Sequence, residues 1–314
     1  MLILFGFSLI IPIITSFLYE DQNLDIFITS FIIFFLIGLI FYFPNRMEKN
    51  DIRTKDGFLI VVLFWVVLSI FGSIPFMLDK QLSLSFADAL FESVSGWTTT
   101  GATILVNIDT LTPSILIYRQ MLQWLGGMGI VILALAILPM LGVGGMQLYK
   151  AESTGPIKDT KISPRIAETA QNLWSVYLGL TFFCAISYFL AGMNLFDAVS
   201  HSFSTIAIGG FSTHNESIGF FNNPSIELIC MVFMILSAMN FILHFLSLKN
   251  KSFQVYFQDS ELRTYMIIMV FFILTIVSYG LFDTDFTNIR HILFQTISFI
   301  TTSGFTSTTY NLWP

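Results

Sequence analysis

The chain has 314 residues, of which 55% are hydrophobic and 11% are charged, and its formal net charge is −6. So apolar a composition excludes an ordinary soluble globular domain, and no nucleic-acid partner is expected. Both cysteines, Cys184 and Cys230, lie in apolar runs without a second cysteine or a histidine at metal-ligand spacing. They are therefore predicted to be core residues.

Seven apolar stretches are long enough to cross a bilayer core as helices, which takes about 20 residues. They cover residues 2–19, 26–43, 57–78, 120–142, 173–195, 226–248 and 265–282. The first stretch lacks a basic region before it and a small-residue cleavage site after it. It is therefore predicted to be a membrane helix rather than a signal peptide.

Basic residues divide the connections between these stretches into two sets. One set holds 11 of the 14 Lys and Arg residues, namely Arg46, Lys49, Arg53, Lys55, Lys150, Lys158, Lys161, Arg165, Lys249, Lys251 and Arg263. Because short cytoplasmic loops are rich in Lys and Arg, these loops and the N-terminus are predicted to be cytoplasmic. The other side has 3 basic and 12 acidic residues, Arg119 and Glu92 among them. Such an excess attracts cations, but it also arises if the positive-inside bias merely leaves acids outside.

Three shorter segments, after the third, fifth and seventh stretches, form an internal repeat. DALFESVSGWTTTGAT (Asp88 to Thr103) aligns without gaps with DAVSHSFSTIAIGGFS (Asp197 to Ser212) at an offset of 109, and HILFQTISFITTSGFT (His291 to Thr306) follows at an offset of 94. The predicted unit is a membrane helix, a short re-entrant helix, a turn and a second helix. Irregular backbone at membrane depth is tolerated only within protein or along a water-filled cavity, so three such turns predict a shared cavity.

Each copy has one glycine in register within its turn, at Gly101, Gly210 and Gly304. Glycine adopts left-handed conformations and has no Cβ, so neighbouring carbonyl oxygens can point at one axis. A ring of carbonyl oxygens can replace the hydration shell of an ion, and the C-terminal end of each preceding helix is partially negative. A single turn of this kind is more often a packing contact, but three in register predict a cation pathway rather than an enzyme.

The segments SGWTTTGATI, FSTIAIGGFSTH and FITTSGFTST, with the run WLGGMGIVILALAILPMLGVGG after the first, resemble the TrkH subunit of the Trk/Ktr/HKT potassium-uptake family. The resemblance covers essentially the whole chain. It implies an all-α membrane protein in which two N-terminal helices precede tandem helix, pore-helix, filter and helix repeats in a potassium-channel-like pseudo-fourfold arrangement. It also implies potassium uptake across the bacterial inner membrane by a multi-pass protein, with K⁺ as the transported ion and no cofactor.

Carried over position by position, the resemblance implies a selectivity filter that binds K⁺ through main-chain carbonyls. Its residues would be Thr99, Thr100, Gly101, Ile208, Gly209, Gly210, Thr302, Ser303 and Gly304. Members of this family are also expected to form homodimers surrounded by membrane lipid. They are expected to bind a cytoplasmic, nucleotide-binding subunit of the TrkA type, here through the loops around 150–165 and 249–263.

The resemblance divides the chain into four parts. These are an N-terminal two-helix extension (1–55), a first pore repeat (56–150), a second pore repeat (151–255) and a third (256–314). The chain departs from the family pattern after the third turn, so the third repeat is expected to be incomplete and the fourth absent. Two alternatives stay open: a non-conducting fragment that acts only with a partner chain, and a cation-coupled secondary transporter with broken helices.

Overall fold

The computed structural model describes residues 1–45, 54–137, 164–282 and 288–309, and every regular element among them is helical. This confirms the predicted all-α class. The helices are α1 (Leu2–Ser8), α2 (Ile10–Tyr19), α3 (Leu24–Asn45), α4 (Thr54–Gly72), α5 (Ile74–Leu78), α6 (Phe86–Trp97), α7 (Pro113–Ile137), α8 (Pro164–Leu190), α9 (Leu195–Ile206), α10 (Pro224–Ala238), α11 (Phe241–Asn250), α12 (Gln254–Gln258), α13 (Ser260–Phe282) and α14 (Ile289–Ile300). Short 3₁₀ turns cover Ile108–Thr110 and Ser217–Phe221.

Four helical segments in the described ranges are long and apolar enough to cross a membrane: Leu2–Tyr19, Leu24–Pro44, Ala170–Leu190 and Ser260–Ser278. They confirm the first, second, fifth and seventh predicted stretches. Large apolar side chains such as Phe17, Phe182 and Phe271 are more than 60% exposed on these helices. An outward apolar surface of this kind is what lipid contact requires.

The sixth predicted stretch, 226–248, is divided between two helices. It breaks after Ala238 into α10 and α11, which meet at an angle of 92°. Met239 has extended backbone, and the Asn240 side chain begins α11 by accepting a hydrogen bond from the Ile242 N–H at 3.1 Å. The hydropathy of this stretch does not reveal the break, at which Asn240 caps the second helix.

Two other predicted stretches also differ from the structure. The stretch 57–78 is interrupted at Ser73, which separates α4 from α5. The stretch 120–142 belongs to α7, which begins seven residues earlier at Pro113. Residues 138–142 lie outside the described part of the chain, so the end predicted for this stretch stays a prediction.

The three short helices α6, α9 and α14 have 12 residues each and begin in the same way. Ser85 and Asn194 each accept a hydrogen bond from the N–H three positions later, and Asn288 accepts one from the N–H two positions later. These side chains satisfy N–H groups that a helix leaves free at its start. A side-chain cap at each start and equal helix lengths bring the three turns that follow to corresponding positions.

The N-terminal helices are fastened to the first repeat by a small polar network. The Asn23 side chain donates to Asp79 Oδ2 at 2.9 Å and to Thr112 Oγ1 at 2.7 Å. Asp21 Oδ2 accepts from the N–H of Ser114, in the first turn of α7, at 3.0 Å. Around this network the phenylalanines of α1 and α3 pack with Trp97 and Tyr118 in one apolar cluster. The loop after α2 thus holds α7 in place.

Replacing Asn23 by Ala is expected to lower the free energy of unfolding by about 1–3 kcal/mol, because the buried Asp79 carboxylate loses a charge-assisted partner. The thermal midpoint of the purified protein in detergent measures this loss. Gln22→Ala is the matched control, since Gln22 is the exposed neighbour. Equal midpoints for the two variants would contradict a fastening role for Asn23.

Candidate functional site

The three turns that follow α6, α9 and α14 share an unusual backbone conformation. Thr99, Ile208 and Thr302 have left-handed backbone, with φ of 54°, 53° and 61°. In each turn the next N–H donates to a carbonyl five positions earlier, at 2.8–2.9 Å. Left-handed backbone costs a β-branched residue about 1–3 kcal/mol. Its repetition at three equivalent positions means that the surrounding structure imposes it.

The glycines two positions later bring the turns into backbone contact. Gly101, Gly210 and Gly304 have φ of 77°, 76° and 81°. A Cβ on Gly101 would overlap the carbonyl oxygen of Gly209, and a Cβ on Gly210 would overlap that of Ser303. A Cβ on Gly304 would have no described atom within 4 Å. The first turn therefore lies against the second and the second against the third, whereas the corresponding side of the third is open among the described residues.

The structure thus brings the nine residues predicted from the sequence, three consecutive ones in each turn, into one continuous group, here called the turn arc. Within the described part of the chain, Gly209 alone among the nine has a carbonyl oxygen that accepts a hydrogen bond. The other eight oxygens have no donor among the described residues. Main-chain carbonyls need a partner, so these oxygens are available to water or to a cation.

The three short helices behind the turn arc each have a polar residue at an equivalent position. Glu92, His201 and Gln295 occupy equivalent positions, each eleven residues before a hydroxyl residue. Glu92 accepts from the Thr103 hydroxyl at 2.9 Å, and the His201 ring lies 2.9 Å from Ser212 Oγ. Gln295 is 1% exposed, and its side-chain amide has no hydrogen-bond partner among the described residues. The first two repeats therefore tie the segment after the turn to the short helix before it.

Arg119 of α7 connects the first repeat to the second. Its Nε lies 2.8 Å from Glu92 Oε1, and its Nη1 donates to the Ser212 carbonyl at 3.3 Å. The guanidinium also covers the Phe211 ring, 4.3 Å from the centroid. Both side chains are buried and paired with each other, so Arg119 and Glu92 add no exposed charge to the surface.

Gln123, one turn further along α7, reaches the second turn of the arc. Its Nε2 donates to the Gly209 carbonyl at 2.6 Å, and its Oε1 accepts from the Phe211 N–H at 3.1 Å. Sequence analysis missed Arg119 as a site residue because the apolar stretch was taken to begin at residue 120. It missed Gln123 because this residue lies within that stretch, which was interpreted only by its hydropathy. A signal was present, since polar residues at 119, 120 and 123 share one helix face, and polar groups within membrane helices mark functional sites.

His214 links the segment after the second turn to the loop of the first repeat. Its Nδ1 lies 2.8 Å from Asp109 Oδ1, and its Nε2 lies 3.2 Å from Asp197 Oδ2. Phe220 stacks on the imidazole with 3.5 Å between centroids. Burial by itself lowers the pKa of His214, but the hydrogen bonds to Asp197 and Asp109 outweigh it and raise the pKa above its ordinary value. The Asp109 pKa is lowered, because its hydrogen bonds to His214 and Asn215 outweigh its slight burial.

A raised pKa means that protonated His214 stabilises the folded chain at low pH and that this stabilisation is lost as pH rises through the folded-state pKa. The difference in thermal midpoint between the wild type and His214→Asn is therefore expected to be larger at pH 6 than at pH 8. Asp109 stays ionised throughout this window, since its pKa is depressed. An equal difference at both pH values would contradict a charged bridge.

Comparison with known proteins places the whole chain within one family. The family model described as "TrkH: Cation transport protein" matches residues 23–314. The chain is 48% identical to the Trk system potassium uptake protein TrkH of Vibrio parahaemolyticus over an alignment 320 residues long, which covers all of this chain and 66% of that relative. It is 40% identical to the Trk system potassium uptake protein TrkG of Escherichia coli, covering 99% of this chain and 65% of the relative.

The fold agrees with this assignment. The crystal structure of the potassium transporter TrkH from Vibrio parahaemolyticus superposes with a TM-score of 0.91 at 46% identity, covering all of this chain and 65% of that one. This chain therefore spans about two thirds of the length of the relatives it matches. A family match over 23–314 and a shared membrane fold lead to one assignment: the chain belongs to the TrkH family of cation transport proteins.

Proposed function

We propose that the turn arc forms three sides of a pathway for potassium uptake. The observation that carries this proposal is the set of eight main-chain carbonyl oxygens, in turns at backbone contact, without a described donor. Carbonyl oxygens arranged around an axis replace the water shell of a dehydrated cation. All nine residues act as main-chain ligands in this proposal: Thr99, Thr100, Gly101, Ile208, Gly209, Gly210, Thr302, Ser303 and Gly304.

The chemistry of the arc favours an alkali cation. Its ligands are hard oxygen donors, and the described residues contain no group of three or more His, Cys, Asp or Glu side chains placed to hold a metal ion. Transition metals prefer imidazole and thiolate ligands. Each short helix also ends at its turn, where partial negative charge favours a cation. The names of the relatives, as potassium uptake proteins, support K⁺ in particular.

The pathway is proposed to lie in the bacterial inner membrane, with the N-terminus in the cytoplasm. The four long apolar helices and the 11 basic residues on one set of loops support this orientation. The division at 55, 150 and 255 into an extension and three pore repeats is part of the same proposal. A homodimer and a TrkA-type nucleotide-binding subunit are the proposed partners, and much of the loop 150–165 predicted to bind that subunit lies outside the described residues.

The open side of Gly304 is where another segment would complete the ring. It supports an alternative in which the chain acts only together with a partner that supplies this side. Rubidium uptake by a bacterial strain without its own potassium uptake separates the two. Uptake with this chain alone favours an independent pathway, and uptake only with a co-expressed partner favours the alternative.

Potassium or rubidium is expected to raise the thermal midpoint of the purified chain by several degrees relative to sodium at equal ionic strength. The reason is that a ligand that binds the folded state stabilises it in proportion to the logarithm of its concentration over its Kd. Choline serves as the control for ionic strength. Identical midpoints in potassium, sodium and choline would contradict a potassium site in the arc.

Gly101→Ala and Gly210→Ala are expected to abolish this potassium-dependent stabilisation, because each new Cβ overlaps the carbonyl oxygen of the next turn. Gly304→Ala is the matched control. It meets the same left-handed backbone, which costs roughly 1–2 kcal/mol, but no described neighbour within 4 Å. Its thermal midpoint is therefore expected to lie nearer the wild type. An equal decrease of the thermal midpoint in all three variants would show that contact between turns is unimportant.

A further inference from the structure

Gln123 contacts a turn of a different repeat from its own. It lies on α7, the helix that follows the first turn, yet both polar atoms of its side chain bind the second turn, at Gly209 and Phe211. The residue is fully buried. Its two hydrogen bonds lie on either side of Gly210, the glycine proposed to line the pathway. Gln123 thus holds the second turn by its backbone on both sides of Gly210.

The side chain needed at this position must both donate and accept. The carboxamide of glutamine supplies an N–H for the Gly209 carbonyl and an oxygen for the Phe211 N–H. The reversed amide would place its oxygen against a carbonyl and its N–H₂ against an N–H. The two backbone partners therefore fix the amide orientation.

Gly209 has no Cβ because Gln123 occupies that space. A Cβ there would overlap the Gln123 side chain at Cδ, Oε1 and Nε2. The equivalent residues of the other turns are Thr100 and Ser303, which carry side chains. The additional glycine in the second turn is therefore explained by the approach of Gln123, not by the positive φ that Gly210 requires.

Gln123 also acts from a rigid support. Arg119 lies one turn earlier on the same face of α7 and binds the Ser212 carbonyl, while Glu92 fixes its guanidinium. The helix α7 thus contacts the second turn through Gln123 and the segment after that turn through Arg119. Gly126 lies further along the same face, where a Cβ would overlap the Trp97 carbonyl. Close packing of α7 against α6 therefore sets the distance from which Gln123 reaches Gly209.

We infer that Gln123 is a positioning residue that sets the orientation of the Gly209 carbonyl and thereby the preference of the arc for potassium over sodium. The inference rests on the proposed function. Of the nine carbonyl groups, only that of Gly209 accepts a hydrogen bond from a described donor. It therefore differs from the equivalent carbonyls of Thr100 and Ser303. Without the donor, the Gly209 oxygen is free to approach a smaller cation, and the preference falls.

Two variants separate the donor from the acceptor. Gln123→Met removes both, and amide hydrogen exchange at Phe211 is expected to rise by at least about tenfold as its hydrogen bond is lost. Gln123→Glu, measured at a pH above the pKa of the introduced carboxyl, keeps an acceptor for Phe211 but turns an unprotonated oxygen towards the Gly209 carbonyl. Exchange at Phe211 then stays near the wild-type rate. The preference for potassium is measured as the sodium concentration that gives half-maximal thermal stabilisation divided by the corresponding potassium concentration. In both variants this ratio is expected to fall by at least about tenfold.

Gln171→Met on the exposed face of α8 is the matched control and is expected to change neither readout. Faster exchange at Phe211 with an unchanged cation ratio would make Gln123 a structural residue only and overturn the inference. Unchanged exchange in Gln123→Met would overturn it as well. A wild-type chain without any cation preference would remove the proposed function and the selectivity role together.

A double-mutant cycle tests the contact without any cation. Gly209→Ala is expected to lower the thermal midpoint strongly in the wild type, and much less in a Gln123→Ala background, because the shortened side chain frees the space for the new Cβ. This cycle also remains informative if Gln123→Met folds poorly. Equal costs of Gly209→Ala in both backgrounds would overturn the claim that Gln123 positions this turn.

Discussion

Backbone contact between successive turns is the constraint on which the rest of the structure depends. Gly101 lies so close to the second turn, and Gly210 so close to the third, that neither has room for a Cβ. The left-handed residues two positions earlier are β-branched, and their strained backbone persists only because packing overdetermines it. The short helices, their caps and the helices behind them all serve to hold three strained turns within reach of one another.

The repeats share one backbone conformation at their turns but differ in the side chains that pack against those turns. The same position on the short helix holds Glu92 in the first repeat, His201 in the second and Gln295 in the third. Glu92 has the buried Arg119 as a counter-charge, whereas the His201 ring has Ser212 Oγ and the Asp197 carbonyl as hydrogen-bond partners. Repeats within one chain can therefore differ in the side chains that support them, which identical subunits cannot do.

Several polar groups inside this molecule connect one repeat to the next. Arg119 joins the first short helix to the segment after the second turn, and His214 joins that segment to the loop at Asp109. Thr306 of the third repeat exchanges hydrogen bonds with the 3₁₀ turn of the second, through Ser217 and Gly219. Because apolar side chains gain little by burial away from lipid, such polar contacts and close backbone packing determine how the repeats fit together.

The amino-acid sequence by itself determined the helical class, four of the membrane stretches, the threefold internal repeat and the place of each glycine turn, because these follow from hydropathy and from residues in register. The tertiary structure alone decided which turns touch, that α10 and α11 meet at a sharp bend, and that Arg119, Gln123 and Glu92 work from behind the turns. The physical reason is distance along the chain. Gln123 meets a backbone segment 86 residues later, and no local pattern encodes a contact that only packing of α7 against two repeats creates.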